Sequence, residues 1–444
     1  MNKKIELSGE QKIALTLPTT GTILIKGGAG SGKTLVSVKR AECLMEENPD
    51  MFRATRVAIF TYTRELVSAI SAMADKKINV YGLDSWVFRF LGLDRKSYIY
   101  DNELKLYRES AVNKVLNKFR DTRAIARKSD DFYCAEISWL KGRCISSLEQ
   151  YKNTRRTGRG TDDRVTQADR ELLWDLFSCY NGILKENGVR DWDDRILDAL
   201  AIVEKPGFRR PFSHIVIDEA QDFSFSRIRL LRGLVSDETN SITIVADTAQ
   251  QIYQSGFSWS DLGFNVRGSR SIEFKHNYRN TKQISEAAYS LMNQEKDKID
   301  FTEMIPSTRE GDKPVVITAD KSRAFDALVN RVRQQRDYSN TVIAVPTRKL
   351  VSEYDTKLTN VNVRVPVMTY HSLKGLQYEH VYLMELSSRY FNIAYADLEE
   401  ISKMRKLVYV AMTRACHDLT IFTEDDFPPF LTDIDSKLIE RVRG

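Results

Sequence analysis

The sequence predicts an α/β protein with two domains built on parallel sheets and a helical domain inserted into the first of them. Three observations support this. A short apolar strand, a glycine-rich loop and a helical pattern follow one another from Thr22. Between about Asp84 and Pro206 the patterns are helical, with no convincing strand. From Ser271 onward, short apolar runs alternate again with helical patterns. The expected units are residues 1–84 with 206–270, residues 85–205, and residues 271–444.

Size and composition fit this arrangement. The 444 residues are enough for two to four domains, because a domain commonly has about 100 to 200. A hydrophobic fraction of 42% with 29% charged residues excludes a disordered chain and is typical of one that buries sizeable cores. No apolar stretch approaches about 18 residues, and Glu6 and Glu10 interrupt the N-terminus where a signal peptide would be apolar. We therefore expect a cytoplasmic protein without a membrane span.

Charge and cysteine usage narrow the classes of partner and site. The net charge of +6 permits a nucleic-acid partner through local basic patches but does not establish one. The five cysteines form no CxxC pair and the five histidines no HExxH motif, which disfavours a zinc cluster or a disulfide framework. The basic segment 151–160 predicts a surface loop, and both a solvated and a phosphate-contacting role remain open for it.

Further strand and helix patterns complete the two α/β domains. In the first, an apolar run at 57–61 precedes a helical pattern at 63–74, and later apolar runs lie at 214–218 and 241–247. In the second, the strand-like runs are SIEF, PVVIT, TVIAV, VPVMT and HVYLMEL. Short apolar strands between helices are typical of parallel sheets. The last residues, from Phe427, predict a short helix after a proline break.

The glycine-rich loop has the spacing of a phosphate-binding loop. It fits GxxxxGK[ST] and lies after a strand and before a helix, which is the context this chemistry needs. Glycines let backbone N–H groups turn toward phosphate, and the helix N-terminus adds the positive end of its dipole. We expect Lys33 to reach the β- and γ-phosphates of ATP and the Thr34 hydroxyl to hold Mg²⁺. The candidate nucleotide-binding residues of the loop are Gly27, Gly28, Ala29, Gly30, Ser31, Gly32, Lys33 and Thr34.

An acidic pair follows the apolar run in IVIDEAQD. Asp218 would help to hold Mg²⁺, partly through water, and Glu219 would orient and deprotonate the attacking water. An acidic pair at the end of a strand is also a common helix N-cap. The apolar run before the pair and the phosphate-binding loop upstream favour the catalytic role.

With these two motifs in place, further segments resemble the UvrD/Rep family of superfamily-one helicases. They are LSGEQ, TYTRELVSAI, ADTAQQIY, HNYRNT, MTYHSLKGLQYEHVYL and KLVYVAMTRACHDL, and together with GGAGSGKT and IDEAQD they follow the order of the family's motifs over nearly the whole chain. The resemblance implies two RecA-like domains with ATP bound in the cleft between them.

The resemblance also assigns nucleotide contacts by matching positions. Gln11 would read adenine, and Tyr278 would stack on the base. Gln250 would couple the γ-phosphate to DNA. Gln377 stands where the family has a glutamate that contacts ribose, and it is a weaker acceptor, which puts nucleotide affinity or sugar selectivity in doubt.

By the same resemblance, Arg279 and Arg414 would be arginine fingers on the γ-phosphate. Physical reasoning agrees, because charge on the transferred phosphoryl group is best neutralised from both sides, by a loop lysine and Mg²⁺ on one domain and by arginines from the other. A surface salt bridge is the alternative role for each arginine.

Single-stranded nucleic acid is normally gripped through its backbone and by aromatic platforms for its bases. The family usually carries an aromatic shortly after its SIY segment, and Ser255 stands at that position here, so stacking on a DNA base would pass to Phe257 or Trp259. For Trp259, a role as a plain core residue is equally open. By resemblance the candidate DNA contacts are Thr61, Tyr62, Arg64, Tyr253, Thr369 and His371, with Phe257 and Trp259 as further aromatics near the domain junction.

The interval between Arg279 and His371 is short for the family. Its 92 positions leave no room for the large regulatory domain that family helicases typically insert there. The missing domain makes movement along single strands a firmer expectation than processive strand separation. From the motifs together we predict an ATP- and Mg²⁺-dependent translocase or helicase on single-stranded or tailed duplex DNA, and the resemblance implies movement 3′ to 5′. The alternative is a DNA-sensing regulatory subunit, for example of an anti-phage system with a partner nuclease. An RNA-directed motor also remains open.

Overall fold

The computed structural model describes most of the chain. The described residues are 7–46, 56–93, 101–154, 156, 165–247, 259–266, 268–292, 305, 307–335, 338–391, 398–425 and 427–443. Among them, no helix combines the length and the apolar character needed to cross a membrane.

The first sheet has six strands, and every pairing is parallel. Its strand order is β3-β2-β4-β5-β1-β6, and β2 and β5 are buried along their whole length. Strands covered on both faces have nearly continuous apolar sequences, which is why these runs were recognisable. The strands are β1 (Thr22–Gly27), β2 (Val57–Thr61), β3 (Asn79–Gly82), β4 (His214–Ile217), β5 (Ser241–Ala246) and β6 (Ser271–Phe274).

The assignment of SIEF to the second domain was wrong. These four residues form β6, which pairs with β1 in the register Leu24↔Ser271 and extends the first sheet at its edge. A four-residue apolar run shows that a strand exists but not which sheet it joins, because that depends on the free edge it meets. The first sheet therefore extends past the expected boundary at 270/271.

Helices cover the first sheet, and two of them begin after residues that are suited to cap a helix N-terminus. Ser8 and Thr63 are N-caps whose hydroxyls accept the backbone N–H of Gln11 and Leu66. The helices around this sheet are α1 (Gly9–Leu15), α2 (Lys33–Glu46), α3 (Arg64–Met73) and α4 (Leu83–Phe90).

The described residues between 101 and 203 form an inserted helical unit without strands. Its core is its own and is made by side chains between Leu104 and Leu184. The last helix instead packs Ile196, Leu200 and Val203 into the core of the first sheet. The helices are α5 (Asp101–Val115), α6 (Asp130–Gly142), α7 (Leu148–Asn153), α8 (Gln167–Glu186) and α9 (Trp192–Val203), and α10 (Phe225–Gly233) follows β4.

The second sheet repeats the first. Its order is β12-β7-β11-β10-β8-β9, again with every pairing parallel. When the second sheet is read from its other edge, its order is β9-β8-β10-β11-β7-β12. Each of these strands occupies the position of the first-sheet strand whose number is six lower, so the two sheets have the same topology. The strands are β7 (Val315–Thr318), β8 (Thr341–Val345), β9 (Val367–Thr369), β10 (Tyr378–Leu383), β11 (Ala415–Thr423) and β12 (Glu440–Arg443). The helices are α11 (Lys282–Leu291), α12 (Lys321–Gln334), α13 (Arg348–Asn360) and α14 (Leu398–Met412).

The C-terminal prediction was wrong in part. Instead of a regular helix, the residues after Phe427 make two short 3₁₀ turns and then β12, which pairs with β7. The proline pair favours the first turn, and the edge of β7 accepts the strand. The expected strands PVVIT, TVIAV, VPVMT and HVYLMEL are all confirmed in this sheet.

Candidate nucleotide and nucleic-acid site

The glycine-rich loop connects β1 to α2 at the carboxyl edge of the first sheet, as predicted. Gly30 and Gly32 have φ angles of +77° and +81°, in the left-handed region that favours glycine. A Cβ on Gly30 would lie 2.3 Å from the Asn277 Oδ1 atom, and one on Gly32 would lie 2.4 Å from the Gln11 Nε2 atom. Conformation therefore favours glycine at both positions, and at Gly30 space does so as well, because the Arg279 Cβ atom would lie only 2.9 Å away.

Lys33 lies against the loop that contains it. Its Nζ donates to the carbonyl oxygens of Gly27 and Gly28 at 2.7 and 2.8 Å and is 3.0 Å from the Asp247 carboxylate. Asp247 is 1% exposed, and its backbone N–H donates to Gln221 Oε1 at 2.9 Å. A phosphate in the loop would therefore compete with two carbonyls and a carboxylate for the lysine.

Asp218 is bound by two hydroxyls of the first turn of α2. The Thr34 Oγ1 donates to Asp218 Oδ2 at 3.0 Å, and the Ser37 Oγ donates to Asp218 Oδ1 at 2.8 Å. Burial, together with the charge of Glu219, raises the pKa of Asp218 to about 7. A buried carboxylate beside a hydroxyl, with too little positive charge around it, is a donor set that suits a hard divalent cation such as Mg²⁺.

Glu219 follows directly in a strained conformation. Its φ of +54° is in the left-handed region, and its carboxylate accepts a hydrogen bond from the Gln221 amide. Burial alone would raise the pKa of Glu219, but the charges of Lys33, Lys374 and Arg414 outweigh it and lower the pKa. The carboxylate is therefore ionised and able to accept a hydrogen bond from water.

Arg279 and Arg414 face these acidic groups. Arg414 is 1% exposed, and its Nε–H donates to the Val410 carbonyl oxygen at 2.9 Å. Burial and the charge of Arg279 lower the pKa of Arg414 to about 10, while Glu219 and Asp247 oppose this shift.

Arg279 differs from Arg414 in its bonding. Burial lowers its pKa, again against the charges of Glu219 and Asp247. Its Nε and Nη1 atoms are buried and have no hydrogen-bond partner among the described residues. Buried guanidinium nitrogens normally have hydrogen-bond partners, so Arg279 has the properties of a residue that binds an anionic ligand.

Several contacts among the described residues join the two domains around this cleft. Lys374 and Asp222 form an ion pair that is buried at both ends. A Cβ on Gly375 would lie 2.3 Å from a methyl carbon of Leu66, so the second domain approaches α3 as closely as a glycine allows. The Tyr278 backbone N–H donates to the Gly30 carbonyl oxygen at 2.8 Å.

The other candidate nucleotide contacts differ in exposure. Gln11 is 5% exposed, donates to the Ser31 carbonyl oxygen at 2.9 Å and accepts the Ser8 backbone N–H at 3.0 Å. Tyr278 is 46% exposed. Gln377 is exposed. Gln250 lies outside the described residues.

The candidate DNA contacts also differ in exposure. Tyr62, Arg64 and His371 are exposed, and Thr369 is half-buried with its Oγ1 2.9 Å from the Ser372 Oγ atom. Trp259 is half-buried against the core of the first domain. Tyr253 and Phe257 lie outside the described residues.

Thr61 corrects the sequence-based expectation of a DNA contact. It is fully buried at the end of β2, so its side chain offers no surface to a nucleic-acid strand in this conformation. The position ends a strand that is covered on both faces, and the last residue of such a strand is still inside the core.

Four residues of the cleft were not predicted from the sequence. Asp247 ends the apolar run SITIVAD as Asp218 ends HIVID, and this parallel was a usable signal. Ser37 lies one helical turn after Lys33 on α2, which was a second one. Asp222 and Lys374 gave no signal of their own, because each pairs with a residue from the other domain.

Comparison with known proteins agrees with this geometry. Residues 7–261 match the UvrD/REP helicase N-terminal domain, and residues 325–425 match the UvrD-like helicase C-terminal domain. DNA helicase IV of Escherichia coli K12 is 23% identical over 470 residues, which cover 92% of this chain and 67% of that protein.

Other relatives match less of their own length. The ATP-dependent DNA helicase srs2 of Schizosaccharomyces pombe is 25% identical over 66% of this chain and 35% of that protein. The ATP-dependent DNA helicase PcrA of Staphylococcus aureus Mu50 is 24% identical over 66% of this chain and 40% of that protein. The chain therefore spans about two thirds of the first relative and less than half of these two.

Proposed function

The chain belongs to the UvrD/REP helicase family, and from this premise we propose that it hydrolyses ATP in the cleft between its two α/β domains and uses the energy to move along single-stranded DNA. The observation that carries the proposal is the meeting of two sets of groups at the cleft. Lys33, Asp218 and Glu219 come from the first sheet domain, and Arg414 comes from the second with its charge directed at Glu219 and Asp247.

Each residue of the cleft would have its own role in phosphoryl transfer. Lys33 would leave the carbonyls of the loop to neutralise phosphate oxygens, and Arg279 and Arg414 would do so from the opposite side. Glu219 would orient the attacking water and accept its proton. Asp218 and Thr34 would hold Mg²⁺, which supplies further positive charge to the phosphates when bound.

Hydrolysis would be coupled to movement through the contacts that join the domains. The Lys374–Asp222 pair and the Gly375–Leu66 approach connect the two domains, so opening of the cleft would break both. Tyr62 and Arg64 on one domain, and Thr369 and His371 on the other, would grip the strand and change their separation as the cleft opens and closes. The Leu66 contact belongs to α3, which begins at Arg64, so closure acts directly on a proposed DNA-binding helix.

The test is ATP turnover with and without single-stranded DNA, followed by strand separation on duplexes that carry a 3′ or a 5′ tail. We expect stimulation by the single strand and a preference for the 3′ tail. Absence of stimulation by DNA would contradict the proposal, and equal or greater stimulation by RNA would assign the motor to RNA. Preference for the 5′ tail would overturn the proposed polarity alone.

A second candidate function is a DNA-sensing regulatory subunit that separates strands poorly. It is supported by the short interval between Arg279 and His371. In its described part this interval holds β7, β8 and β9 with α11, α12 and α13, and all of these strands belong to the second sheet. Copurification distinguishes the two functions. A chain that is isolated alone and unwinds tailed duplexes is a motor, whereas one that needs a protein partner such as a nuclease subunit for any DNA-dependent activity is a regulator.

A further inference from the structure

One aromatic pair connects the acidic motif to a candidate DNA contact. Phe223 follows Asp222 directly in the chain and is 1% exposed. Its ring packs against that of Tyr62, with the ring centroids 6.0 Å apart and the planes at 88°. Perpendicular aromatic pairs are stabilised beyond the apolar area that they bury. Tyr62 is 40% exposed, so its ring contacts the buried Phe223 and is also accessible from solvent.

The turn before Phe223 connects this ring to the proposed general base. Ala220–Asp222 form one 3₁₀ turn. The Asp222 backbone N–H donates to the Glu219 carbonyl oxygen at 3.0 Å, and the Phe223 N–H donates to the Ala220 carbonyl oxygen at 3.2 Å. Because each bond reaches back three residues, a displacement of Phe223 is passed to Glu219 within a single turn.

The chain after Phe223 is anchored by a buried arginine. Arg227 lies on α10, and its side chain is 14% exposed. Its guanidinium is 3.1 Å from the carboxylate of Asp193 on α9 and 3.4 Å from that of Asp84 on α4. With three helices joined at this point, a shift of Phe223 is taken up by the turn that precedes it.

Asp222 connects the same turn to the second domain. It is the residue between this turn and Phe223, and its carboxylate pairs with Lys374 across the cleft. A ligand shifts an equilibrium between two conformations only through contacts that differ between them. A base stacked on Tyr62 would restrict that ring, and the packed Phe223 would transmit the restriction to the turn that brings Asp222 to Lys374.

We propose that Phe223 is the positioning residue through which a base stacked on Tyr62 favours closure of the cleft and the placement of Glu219. The proposal rests on the proposed function, which places single-stranded DNA at Tyr62 and ATP at the glycine-rich loop. The Tyr62–Phe223 contact then accounts for the stimulation of ATP turnover by DNA, and Tyr62 does more than hold the strand.

The first experiment removes the Phe223 ring and keeps an apolar side chain. In Phe223→Leu, the factor by which saturating oligothymidylate raises kcat should fall at least about fivefold, the lower end of the usual range for coupled sites. The oligothymidylate concentration is set from a binding curve of each protein, so that weak binding cannot imitate lost stimulation. An unchanged stimulation factor would overturn the proposal.

Phe212→Leu is the matched control. Phe212 is 7% exposed in the same core, and its ring is perpendicular to that of Phe60 at a centroid distance of 5.7 Å. The control therefore makes the same substitution at the same kind of contact, away from Tyr62, and it should keep the stimulation factor of the wild type. Equal losses in the two variants would mean that the core as a whole is responsible, which would also overturn the proposal.

Tyr62→Leu separates coupling from grip, and it decides the matter even if Phe223→Leu does not fold, because Tyr62 is exposed. A residue that only grips the strand changes the DNA concentration at half-maximal stimulation and leaves the maximum intact. We expect the maximum itself to fall in Tyr62→Leu, to be retained in Tyr62→Phe, and to fall no further when Phe223→Leu is added. Full stimulation of Tyr62→Leu at saturating DNA, or additive losses in the double variant, would overturn the proposal.

Failure of this coupling is distinguishable from failure of the proposed function. If DNA does not stimulate ATP turnover by the wild type, the proposed function fails. Binding then still decides the coupling, because coupling between two ligands is reciprocal. The nonhydrolysable β,γ-imido-ATP should lower the Kd of the wild type for oligothymidylate at least about fivefold, and Phe223→Leu should remove this difference. The same nucleotide dependence in both proteins, or none in the wild type, would overturn the coupling.

Discussion

Lys374 of the second domain and Asp222 of the first form an ion pair that is buried across the cleft, and both side chains are less than a tenth exposed. Burial raises the pKa of Asp222 to about 6, with Lys374 opposing and Glu219 adding to the shift. Because a buried charge is stable only beside its partner, the pair ties the closed arrangement of the domains to the presence of both residues.

Replacement of Lys374 by Met should therefore favour the open cleft. Removing one partner of a buried pair costs about 3 to 5 kcal/mol, and opening the cleft lets Asp222 escape that cost by returning to water. We expect DNA-stimulated ATP turnover to fall at least tenfold. The pair Asp222→Asn with Lys374→Met should recover part of the activity, since two neutral side chains leave no unpaired charge.

Lys357→Met is the matched control for this prediction. Lys357 pairs with Glu353 one helical turn away, and both side chains are more than two fifths exposed. Such a pair contributes little, so turnover should be unchanged. If Lys374→Met hydrolysed ATP as fast as the control, closure would not depend on the Asp222 pair.

The common topology of the two domains provides a control for the catalytic carboxylate. Glu219 and Glu385 each follow the last residue of the equivalent strands β4 and β10 by two positions, and their φ angles are +54° and +57°. In the second domain the glycine-rich loop is missing, and Glu385 is paired with Lys321 at 2.9 Å. The same backbone position thus carries a carboxylate that accepts from the Gln221 amide in one domain and a carboxylate in a structural ion pair in the other.

Glu219→Gln should lower kcat by at least about a hundredfold, the usual contribution of a general base, with little change in the KM for ATP. Glu385→Gln removes the same charge from the same kind of position and should leave kcat within about twofold. The measurement is steady-state ATP turnover with saturating single-stranded DNA. Equal effects of the two variants would mean that loss of Glu219 acts through stability and not through chemistry.

The parts of the site that the sequence predicted lie within short segments. The loop at 27–34 and the pair Asp218–Glu219 are complete in a few consecutive residues, and their chemistry depends on that local order. The ion pairs Lys33–Asp247 and Asp222–Lys374 join residues 214 and 152 positions apart. Such partners are determined by the packing of strands and the closure of domains, which no local pattern encodes.

The difference between local sequence signals and long-range contacts also explains the errors in the predicted fold. The strands existed where the apolar runs predicted them, because burial on both faces leaves a continuous apolar signal. The sheet that SIEF joins and the burial of Thr61 depended on neighbours far away in sequence. Local periodicity indicates which element forms, whereas tertiary contacts decide what it touches.

His214 should make stability depend on pH below neutrality. Burial, followed by the charge of Arg40, lowers its pKa to about 4, whereas an unfolded histidine has a pKa of about 6.5. Between these values the unfolded chain binds a proton that the folded chain does not, so stability falls as pH falls from 6.5 to 4. The full loss is about 3.5 kcal/mol, from about 1.4 kcal/mol for each pH unit.

Urea unfolding of the wild type and of His214→Gln at pH 4.5, 5.5 and 7 measures this effect. The midpoint of the wild type should drop toward low pH more steeply than that of the variant, and His417→Gln, at an exposed histidine, should follow the wild type. Parallel pH profiles for the wild type and His214→Gln would exclude His214 as the source.

Substitutions of the two cleft arginines should affect stability and activity differently. Arg414 donates to the backbone carbonyls of Val410 and Leu376, so Arg414→Gln loses hydrogen bonds of the folded second domain and should lower the melting temperature. Arg279 has two buried nitrogens without partners among the described residues, so Arg279→Gln gives up fewer bonds and removes a buried charge. Its melting temperature should be unchanged or higher.

The losses of ATP turnover in the two variants should not follow the order of their melting temperatures. If both guanidiniums neutralise charge on the transferred phosphoryl group, each substitution should lower kcat by about a thousandfold or more, the usual contribution of an arginine finger. Arg279→Gln is the decisive variant, because a large loss of kcat in a protein of undiminished melting temperature has no structural explanation. A kcat near that of the wild type would show instead that Arg279 does not neutralise charge on the transferred phosphoryl group. The burial of its charge would then need another explanation.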